Sequence, residues 1–340
     1  MIMASFVIDF NLGNKIFDIT DKKINRDNYA YFYFKLKEEF KKNGLDFSTY
    51  DINKAENSEV VIKNGMIQKY QMPENKLNYL LSLESPHVDP TAFKKEYHND
   101  FKKIFTWDDD LVDNKKYFKV NYSFDIPKTI PRKLDGKKLC CTIAGNKSAN
   151  HFDELYTKRI EFIRWFEKYH SEEFDLYGTG WNKYHFRGSK IIRVFNRIPY
   201  IPELFANFTG QIYPSYKGLV DSKYETMQNY KFAICYENIK DQNGYITEKI
   251  FDCFFAGCVP IYWGAKNITE HIPKECFIDR RDFKNYEDIY RYISSMDKKT
   301  YINYINNIEN FLNSSKVDQF RAQNFADTIV SEILKDMKGI

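Results

Sequence analysis

The sequence predicts an α/β protein that folds as two domains, and three observations lead to this expectation. With 340 residues, the chain is long enough to build two hydrophobic cores. Residues 231–264 read as strand, loop, helix and strand, which is the size of one βαβ unit. Residues 126–138 are polar and basic and include Pro127 and Pro131, a composition typical of a linker between domains.

Composition describes an ordered globular protein with nearly balanced charge. Hydrophobic residues make up 43% of the chain and aromatic residues 17%. The chain has 51 Lys and Arg residues against 47 Asp and Glu residues, a net charge of +4. Such a balance gives no reason to expect a nucleic-acid partner.

Cysteine usage and hydropathy bear on the compartment. The six cysteines show no CxxC spacing, which favours buried free thiols in a reducing environment. The apolar stretch in residues 1–12 is too short to span a bilayer and lacks the basic lead of a signal peptide. The expectation is therefore a cytoplasmic protein without a transmembrane segment, and the sequence leaves peripheral membrane attachment open.

Residues 1–130 are predicted to form the first domain, with strands at 6–10 and 60–62 and a helix at 29–41. A further apolar strand begins at Asn78 and ends abruptly at Glu84-Ser85-Pro86-His87. Pro86 cannot continue a central ladder, and it biases Ser85 towards an extended backbone. Glu84 is thus expected at a strand end, a position that commonly faces a cleft, although the local pattern alone favours a carboxylate that caps a turn.

Residues 131–315 are predicted to form the second domain, and residues 316–340 a C-terminal helix that packs back on the first domain. Outside the βαβ unit, the predicted elements are, in chain order, a strand at 138–144, an amphipathic helix at about 154–168, a strand at 174–181 that ends in a small-residue turn, a long insertion at 182–220, and helices at 286–312 and 317–338. The arginines of the insertion, Arg187, Arg193 and Arg197, are possible phosphate ligands.

Polar residues crowd the loop that enters the helix of the βαβ unit. Thr247 is the candidate N-cap, which would place Glu248 and Lys249 in the first helical turn. Lys249 opposes the helix dipole at this end, and a cation is tolerated there when an anion is bound as well. Because free backbone N–H groups make a helix N-terminus a phosphate site, the loop is a candidate anion site. The spacing alone leaves a solvated Glu–Lys pair equally open.

The same stretch resembles the donor-binding motif of the α1,3-fucosyltransferases of glycosyltransferase family 10. The matching segments are Tyr236-Glu237-Asn238, Tyr245-Ile246-Thr247-Glu248-Lys249 and Ala256-Gly257-Cys258-Val259-Pro260-Ile261. The resemblance implies the GT-B architecture, in which two Rossmann-like domains face each other across a cleft and the second binds GDP-fucose. It also implies inverting, metal-independent transfer of L-fucose to a glycan hydroxyl through an α1,3 linkage, with the GlcNAc of a Gal-GlcNAc unit as expected acceptor.

The resemblance assigns roles to single residues. Glu84 matches the family's catalytic base, which takes a proton from the acceptor hydroxyl, and His87 is its local rival. Arg159 matches a basic residue that binds the donor's diphosphate, and Arg159 and Lys249 would stabilise the leaving GDP. Further candidates for contacts with the donor are Asn238, Tyr245 and Glu248, then Glu237 and Lys223, and, as alternates to Arg159, Lys158 and Arg164.

The aspartates Asp108, Asp109 and Asp110 resemble the D-x-D manganese site of the other major glycosyltransferase architecture. The family-10 resemblance places an acceptor-domain segment without metal here, so a solvated acidic turn or an acceptor contact is expected, and no metal or cofactor is predicted. Two alternatives stay open. The chain could be a GT-B transferase that uses another nucleotide sugar, or a non-catalytic glycan- or nucleotide-binding module.

Overall fold

The computed structural model describes residues 1–65, 70–184, 186, 189–209 and 213–339. Within them lie two sheets of six strands each, and every strand pairing is parallel. Parallel sheets are covered on both faces, which explains why their strands read as apolar runs without a clear alternation. The predicted α/β class is confirmed.

The first sheet has the strand order β2-β1-β3-β4-β5-β6. Its strands are β1 (Ile2–Val7), β2 (Leu45–Thr49), β3 (Val60–Asn64), β4 (Leu77–Ser82), β5 (Lys103–Thr106) and β6 (Tyr117–Lys119). Helix α1 (Tyr31–Lys42) packs on this sheet through Phe32, Leu36 and Phe40. The sequence placed the first strand at 6–10, whereas the parallel register of β1 with β2 and β3 ends at Val7.

The second sheet has the order β9-β8-β7-β10-β11-β12, the 3-2-1-4-5-6 order of a Rossmann fold. Its strands are β7 (Lys138–Ile143), β8 (Phe174–Tyr177), β9 (Tyr216–Gly218), β10 (Tyr230–Tyr236), β11 (Val259–Trp263) and β12 (Ile278–Asp279). The strand order reverses between β7 and β10. In such sheets ligands bind outside the carboxyl ends of the strands at this point.

All the α-helices after α1 come later in the chain than β7. They are α2 (Tyr156–Tyr169), α3 (Lys190–Val194), α4 (Ile201–Thr209), α5 (Lys223–Met227), α6 (Glu248–Phe255), α7 (Ile268–His271), α8 (Tyr286–Ser294), α9 (Lys298–Leu312) and α10 (Ala322–Lys338). The single helix expected at 286–312 is two helices, because Asp297 caps a new one by accepting the Thr300 N–H at 2.7 Å. Arg187 lies outside the described residues.

Helix α10 belongs to the core of the first sheet. It packs against α1 and buries Phe325, Ile329 and Ile333 there. Two polar contacts fix it, since the Tyr79 hydroxyl donates to Asp336 at 2.9 Å and Lys103 pairs with Glu332 at 2.9 Å. The chain therefore crosses from the second sheet back to the first before this helix begins.

Two further observations concern the cysteines and the hydropathy of the helices. All six cysteines lie in the described part of the chain, and each is buried with a free thiol. Among the described residues, every helix is too short or too polar to cross a lipid bilayer.

Candidate active site

The carboxyl ends of β4, β7 and β10 converge where the two sheets face each other. Glu84 follows β4 and is partly buried. Burial raises the pKa of Glu84, the negative charge of Glu248 raises it further, and Lys249 and Lys147 oppose the shift. The carboxylate of Glu84 in the first domain is therefore within electrostatic range of the charged groups Glu248, Lys249 and Lys147 of the second domain.

Glu237 is the buried anchor of the βαβ loop. Its side chain is fully buried, and its carboxylate accepts hydrogen bonds from the Thr247 N–H at 2.9 Å and the Thr247 hydroxyl at 2.7 Å. The Lys249 ammonium donates to the same carboxylate at 3.0 Å. Thr247 is the N-cap residue of α6 as predicted, but its hydroxyl makes no capping hydrogen bond because it donates to the buried Glu237 carboxylate instead.

Glu248 and Lys249 open α6 as predicted, and their charges balance. The Glu248 carboxylate lies 3.7 Å from the Lys249 ammonium. Although burial alone would raise the pKa of Glu248, Lys249 and Lys223 hold it at about 2. Although burial alone would lower the pKa of Lys249, Glu237 and Glu248 raise it above its usual range. Both groups are therefore ionised at neutral pH at the N-terminus of the helix.

Lys223, a candidate for phosphate contact, has its ammonium 2.7 Å from the Asp252 carboxylate on α6. Burial would lower the pKa of Lys223, but Asp252 and Glu248 raise it to about 12. Its backbone N–H donates to Asp27 of the first domain at 3.0 Å. Lys223 thus connects α6 to the first domain at the edge of the site.

Arg159 lies in the first turn of α2 and is only 4% exposed. Its guanidinium donates to the backbone oxygens of Tyr236 at 2.8 Å and Glu237 at 3.1 Å, and burial lowers its pKa. It therefore supports the carboxyl end of β10 and lies beside the Lys249 network. The two alternates to Arg159 form ion pairs with residues one turn further along α2. Lys158 pairs with Glu161 at 2.9 Å, and Arg164 pairs with Glu167 at 2.7 Å.

Asn238 and Tyr245 lie near the two ends of the loop between β10 and α6. The Asn238 carbonyl accepts the Leu155 N–H at 3.0 Å, which ties the loop to the start of α2. Tyr245 is 1% exposed, and its ring centroid lies 4.8 Å from that of Trp107. Burial raises the pKa of Tyr245, which remains a neutral hydrogen-bonding group close to Lys249.

Trp107 was not predicted as a site residue from the sequence, because its position next to the aspartates was the only feature that distinguished it. Its indole N–H donates to the Glu84 carbonyl at 3.2 Å, so it positions the backbone of the candidate base. Gly244 closes over it with a φ of +81°, and a Cβ at Gly244 would meet the Trp107 carbonyl and the side chains of Asp109 and Lys119. At this contact between the two domains, the positive φ and the lack of room for a Cβ mean that only glycine fits at position 244.

Asp109 is partly buried and paired across the domain contact, which corrects the expectation of a solvated acidic turn at this residue. Its carboxylate accepts from His271 and from Asn267 of the second domain, each at 2.8 Å, and pairs with Lys119 at 2.5 Å. Burial would raise the pKa of Asp109, but His271 and Lys119 hold it well below its usual range. Asp110 accepts from Asn243 at 2.9 Å. The cluster is an electrostatic contact between the domains.

His87, the rival base, also contacts the second domain. Its Nε2 lies 2.9 Å from the Asp153 carboxylate, and burial lowers its pKa. His87 therefore lies in a contact between the β4 loop and the β7 loop, where Asp153 is its partner.

Several residues that interact electrostatically with Glu84 belong to no motif recognised in the sequence. Burial raises the pKa of Tyr33 and Tyr122, and the negative charge of Glu84 contributes to both shifts. Lys147 is exposed and follows the Gly145-Asn146 turn at the end of β7. A lysine after a small-residue turn at a strand end was the one sequence signal that could have identified this cation.

Comparisons with known proteins show which family the chain is related to. The family model described as Glycosyltransferase family 10 (fucosyltransferase) C-term matches residues 135–329. The alpha-(1,3)-fucosyltransferase FucT of Helicobacter pylori is 34% identical over 109 residues, which are 32% of this chain and 22% of that protein. The 4-galactosyl-N-acetylglucosaminide 3-alpha-L-fucosyltransferase 9 of Homo sapiens is 30% identical over 135 residues, 38% of this chain and 34% of that protein. The chain thus spans about a fifth to a third of the length of these curated relatives.

Solved structures share the fold. A crystal structure of alpha1,3-fucosyltransferase with GDP has a TM-score of 0.56 at 17% identity and covers 98% of this chain and 90% of its own. The crystal structure of alpha1,3-fucosyltransferase with GDP-fucose has a TM-score of 0.53 at 17% identity. The match covers 89% of this chain and 81% of that structure's chain. An alpha-glucosyltransferase in complex with UDP and DNA has a TM-score of 0.56 at 12% identity. The match covers 98% of this chain and 100% of that structure's chain. These likenesses confirm the predicted GT-B fold. Because the family model matches more than half of its length, the chain belongs to glycosyltransferase family 10, the fucosyltransferase family.

Proposed function

We propose that the protein transfers L-fucose from GDP-fucose to a glycan hydroxyl with inversion, forming an α1,3 linkage. The observation that carries the proposal is the contact between the two domains at Glu84, where Trp107 binds the Glu84 carbonyl and packs on Tyr245, in the loop that leads to Glu248 and Lys249. An inverting sugar transfer needs a carboxylate on the acceptor side and positive charge on the leaving-group side. Membership in family 10 and the names of the relatives support fucose as the transferred sugar.

In the proposed reaction, the acceptor oxygen attacks the anomeric carbon of fucose while Glu84 takes the hydroxyl proton. The bond from that carbon to the β-phosphate oxygen breaks, and its electron pair leaves with GDP. Lys249 and Arg159 would stabilise the developing charge, and the N-terminus of α6 offers free backbone N–H groups to the phosphates. Asn238, Tyr245 and Glu248 would orient the donor. With these charges on the chain, we propose transfer without a divalent metal.

A donor and acceptor panel tests this function. Rates would be measured with GDP-fucose, GDP-mannose, UDP-galactose and UDP-GlcNAc, each offered with Gal-GlcNAc, and the product linkage would be determined by NMR. We expect product only from GDP-fucose, with fucose on the 3-hydroxyl of GlcNAc and an unchanged rate in EDTA. A preference for a UDP-sugar would support another GT-B transferase, and a rate lost in EDTA but restored by Mn²⁺ would contradict metal-free transfer.

We also propose that the enzyme works in the cytoplasm, attached peripherally to an anionic membrane. The six buried free thiols support a reducing compartment. Residues 189–209, which we term the apolar segment, support membrane attachment because they expose large apolar side chains to solvent. These are Ile191, Ile192, Val194, Phe195, Ile198, Tyr200, Leu204, Phe205 and Phe208.

Charge complementarity points to an anionic lipid surface as the partner of the apolar segment. Lys190, Arg193 and Arg197 are exposed among the apolar side chains. The segment has one acidic residue, Glu203, which is already paired with Lys183 at 2.8 Å. Apolar side chains that enter the headgroup region together with flanking basic residues are typical of peripheral attachment.

Vesicle sedimentation tests the attachment. We expect the protein to sediment with phosphatidylcholine vesicles that contain phosphatidylglycerol, and to remain in solution with phosphatidylcholine alone or at high salt. The double variant Ile191→Asp/Phe208→Asp should lose sedimentation but keep its rate on a small acceptor, whereas the control Ile52→Asp, at another exposed apolar site, should sediment normally. Sedimentation of the double variant at the wild-type level would contradict the proposal.

A further inference from the structure

One cluster of potential metal ligands among the described residues lies at the contact between the domains, beside the candidate base. It consists of His87, His151 and Asp153, whose ligand atoms all lie within 4.8 Å of one another. His87 Nε2 lies 2.9 Å from Asp153 Oδ1, and His151 Nδ1 contacts the same oxygen. His87 comes from the first domain, whereas His151 and Asp153 come from the loop between β7 and α2.

The buried carboxylate in this cluster lacks a permanent positive partner. Asp153 is 5% exposed, and in the described part of the chain its ion pairs are with the two histidines alone. Its other neighbour is the neutral Gln242 amide at 3.5 Å. A cation bound between these three side chains would balance the charge of the buried carboxylate.

We infer that His87, His151 and Asp153 form a binding site for one divalent transition-metal ion of the zinc class. Two imidazole nitrogens and one carboxylate oxygen are a ligand set that Zn²⁺ accepts while keeping a fourth position open. Tetrahedral bonds of about 2.0–2.2 Å place neighbouring ligand atoms roughly 3.3 Å apart. In the cluster, His87 Nε2 and Asp153 Oδ1 lie 2.9 Å apart and all three ligand atoms lie within 4.8 Å of one another, and the His151 side chain is 46% exposed.

The surroundings of His87 indicate an ion that binds reversibly. Imidazoles that hold zinc firmly donate their second N–H to an acceptor, which raises their basicity. His87 Nδ1 is buried without a hydrogen-bond partner among the described residues. Because the ligands come from both domains, a bound ion ties the β4 loop to the β7 loop next to Glu84. The ion is a clamp between domains and takes no part in the transfer step.

Metal titration of the full chain without a histidine tag tests the site. Protein freed of metal with EDTA would be titrated with ZnCl₂ in a calorimeter and with Co²⁺ under visible absorption. We expect one ion per chain, a tetrahedral Co²⁺ spectrum and a higher Tm with Zn²⁺. His151→Ala and Asp153→Asn should each weaken binding by about 10-fold or more, whereas His170→Ala, at a histidine that stacks on Tyr290, should bind like the wild type.

These readouts do not require fucosyl transfer, so they fail or succeed independently of the proposed function. His151 is exposed, so its variant is expected to fold and remains informative if Asp153→Asn is unstable. Absence of saturable binding below about 1 mM Zn²⁺, or equal binding by the wild type and His151→Ala, would overturn the inference.

Discussion

Glu84→Gln is expected to lower kcat by about 10²–10⁴-fold, the usual contribution of a general base. Glutamine keeps the size of the side chain but cannot take the proton of the acceptor hydroxyl. Because the donor is assigned to the second domain, the Kd for GDP should stay within about twofold of the wild type. Initial rates with GDP-fucose and calorimetry with GDP measure the two quantities on the same preparation.

The pH profile adds a second readout. Burial and the charge of Glu248 raise the pKa of Glu84. Since a base must be ionised to act, the wild-type rate should fall as pH drops through this raised pKa, and the residual activity of Glu84→Gln should lack that limb. His87→Gln is the matched comparison. If His87→Gln shows the large loss and Glu84→Gln retains most of the activity, the base is misassigned, and an unchanged rate in both variants would place the base at another residue.

Local patterns predicted the elements that carry the donor side of the site. The apolar run of β10, the helical spacing of α6 and the position of Lys249 at its start are encoded within about thirty residues, the length of one βαβ unit. The partners of these groups are not local. Thr247 has the right residue type for a cap, yet its hydroxyl donates to Glu237, because a buried carboxylate must be satisfied.

Contacts between domains account for the rest of what sequence reasoning missed. Asp109 reads as a solvated acidic residue because its partners His271 and Asn267 lie in the other domain, far away along the chain. Strands β5 and β6 are short and include Lys103 and Lys119, so no apolar run marks them. The coupling of Glu84 to Glu248 is likewise set by the way the sheets face each other, which periodicity does not encode.

Lys249→Met is expected to affect catalysis and stability through different partners. Loss of the ammonium removes a charge that would stabilise the leaving diphosphate, and kcat/KM should fall by about 10²–10³-fold. It also leaves the fully buried Glu237 carboxylate without its cation, which should lower the free energy of unfolding by about 3 kcal/mol. The two Thr247 hydrogen bonds that remain on Glu237 keep this loss at the low end of the range for broken buried pairs. Urea unfolding and initial rates measure the two effects.

A double variant separates the two roles of the lysine. In Glu237→Gln/Lys249→Met no buried carboxylate is left unpaired, so most of the lost stability should return. Activity should not return, because neither new side chain carries positive charge towards the donor. Lys158→Met is the control, since that ammonium pairs with Glu161 on the exposed side of α2 and should leave both quantities unchanged. If the double variant recovered activity along with stability, Lys249 would act only by holding Glu237, and the positive charge at the leaving group would have to come from Arg159 or Lys147.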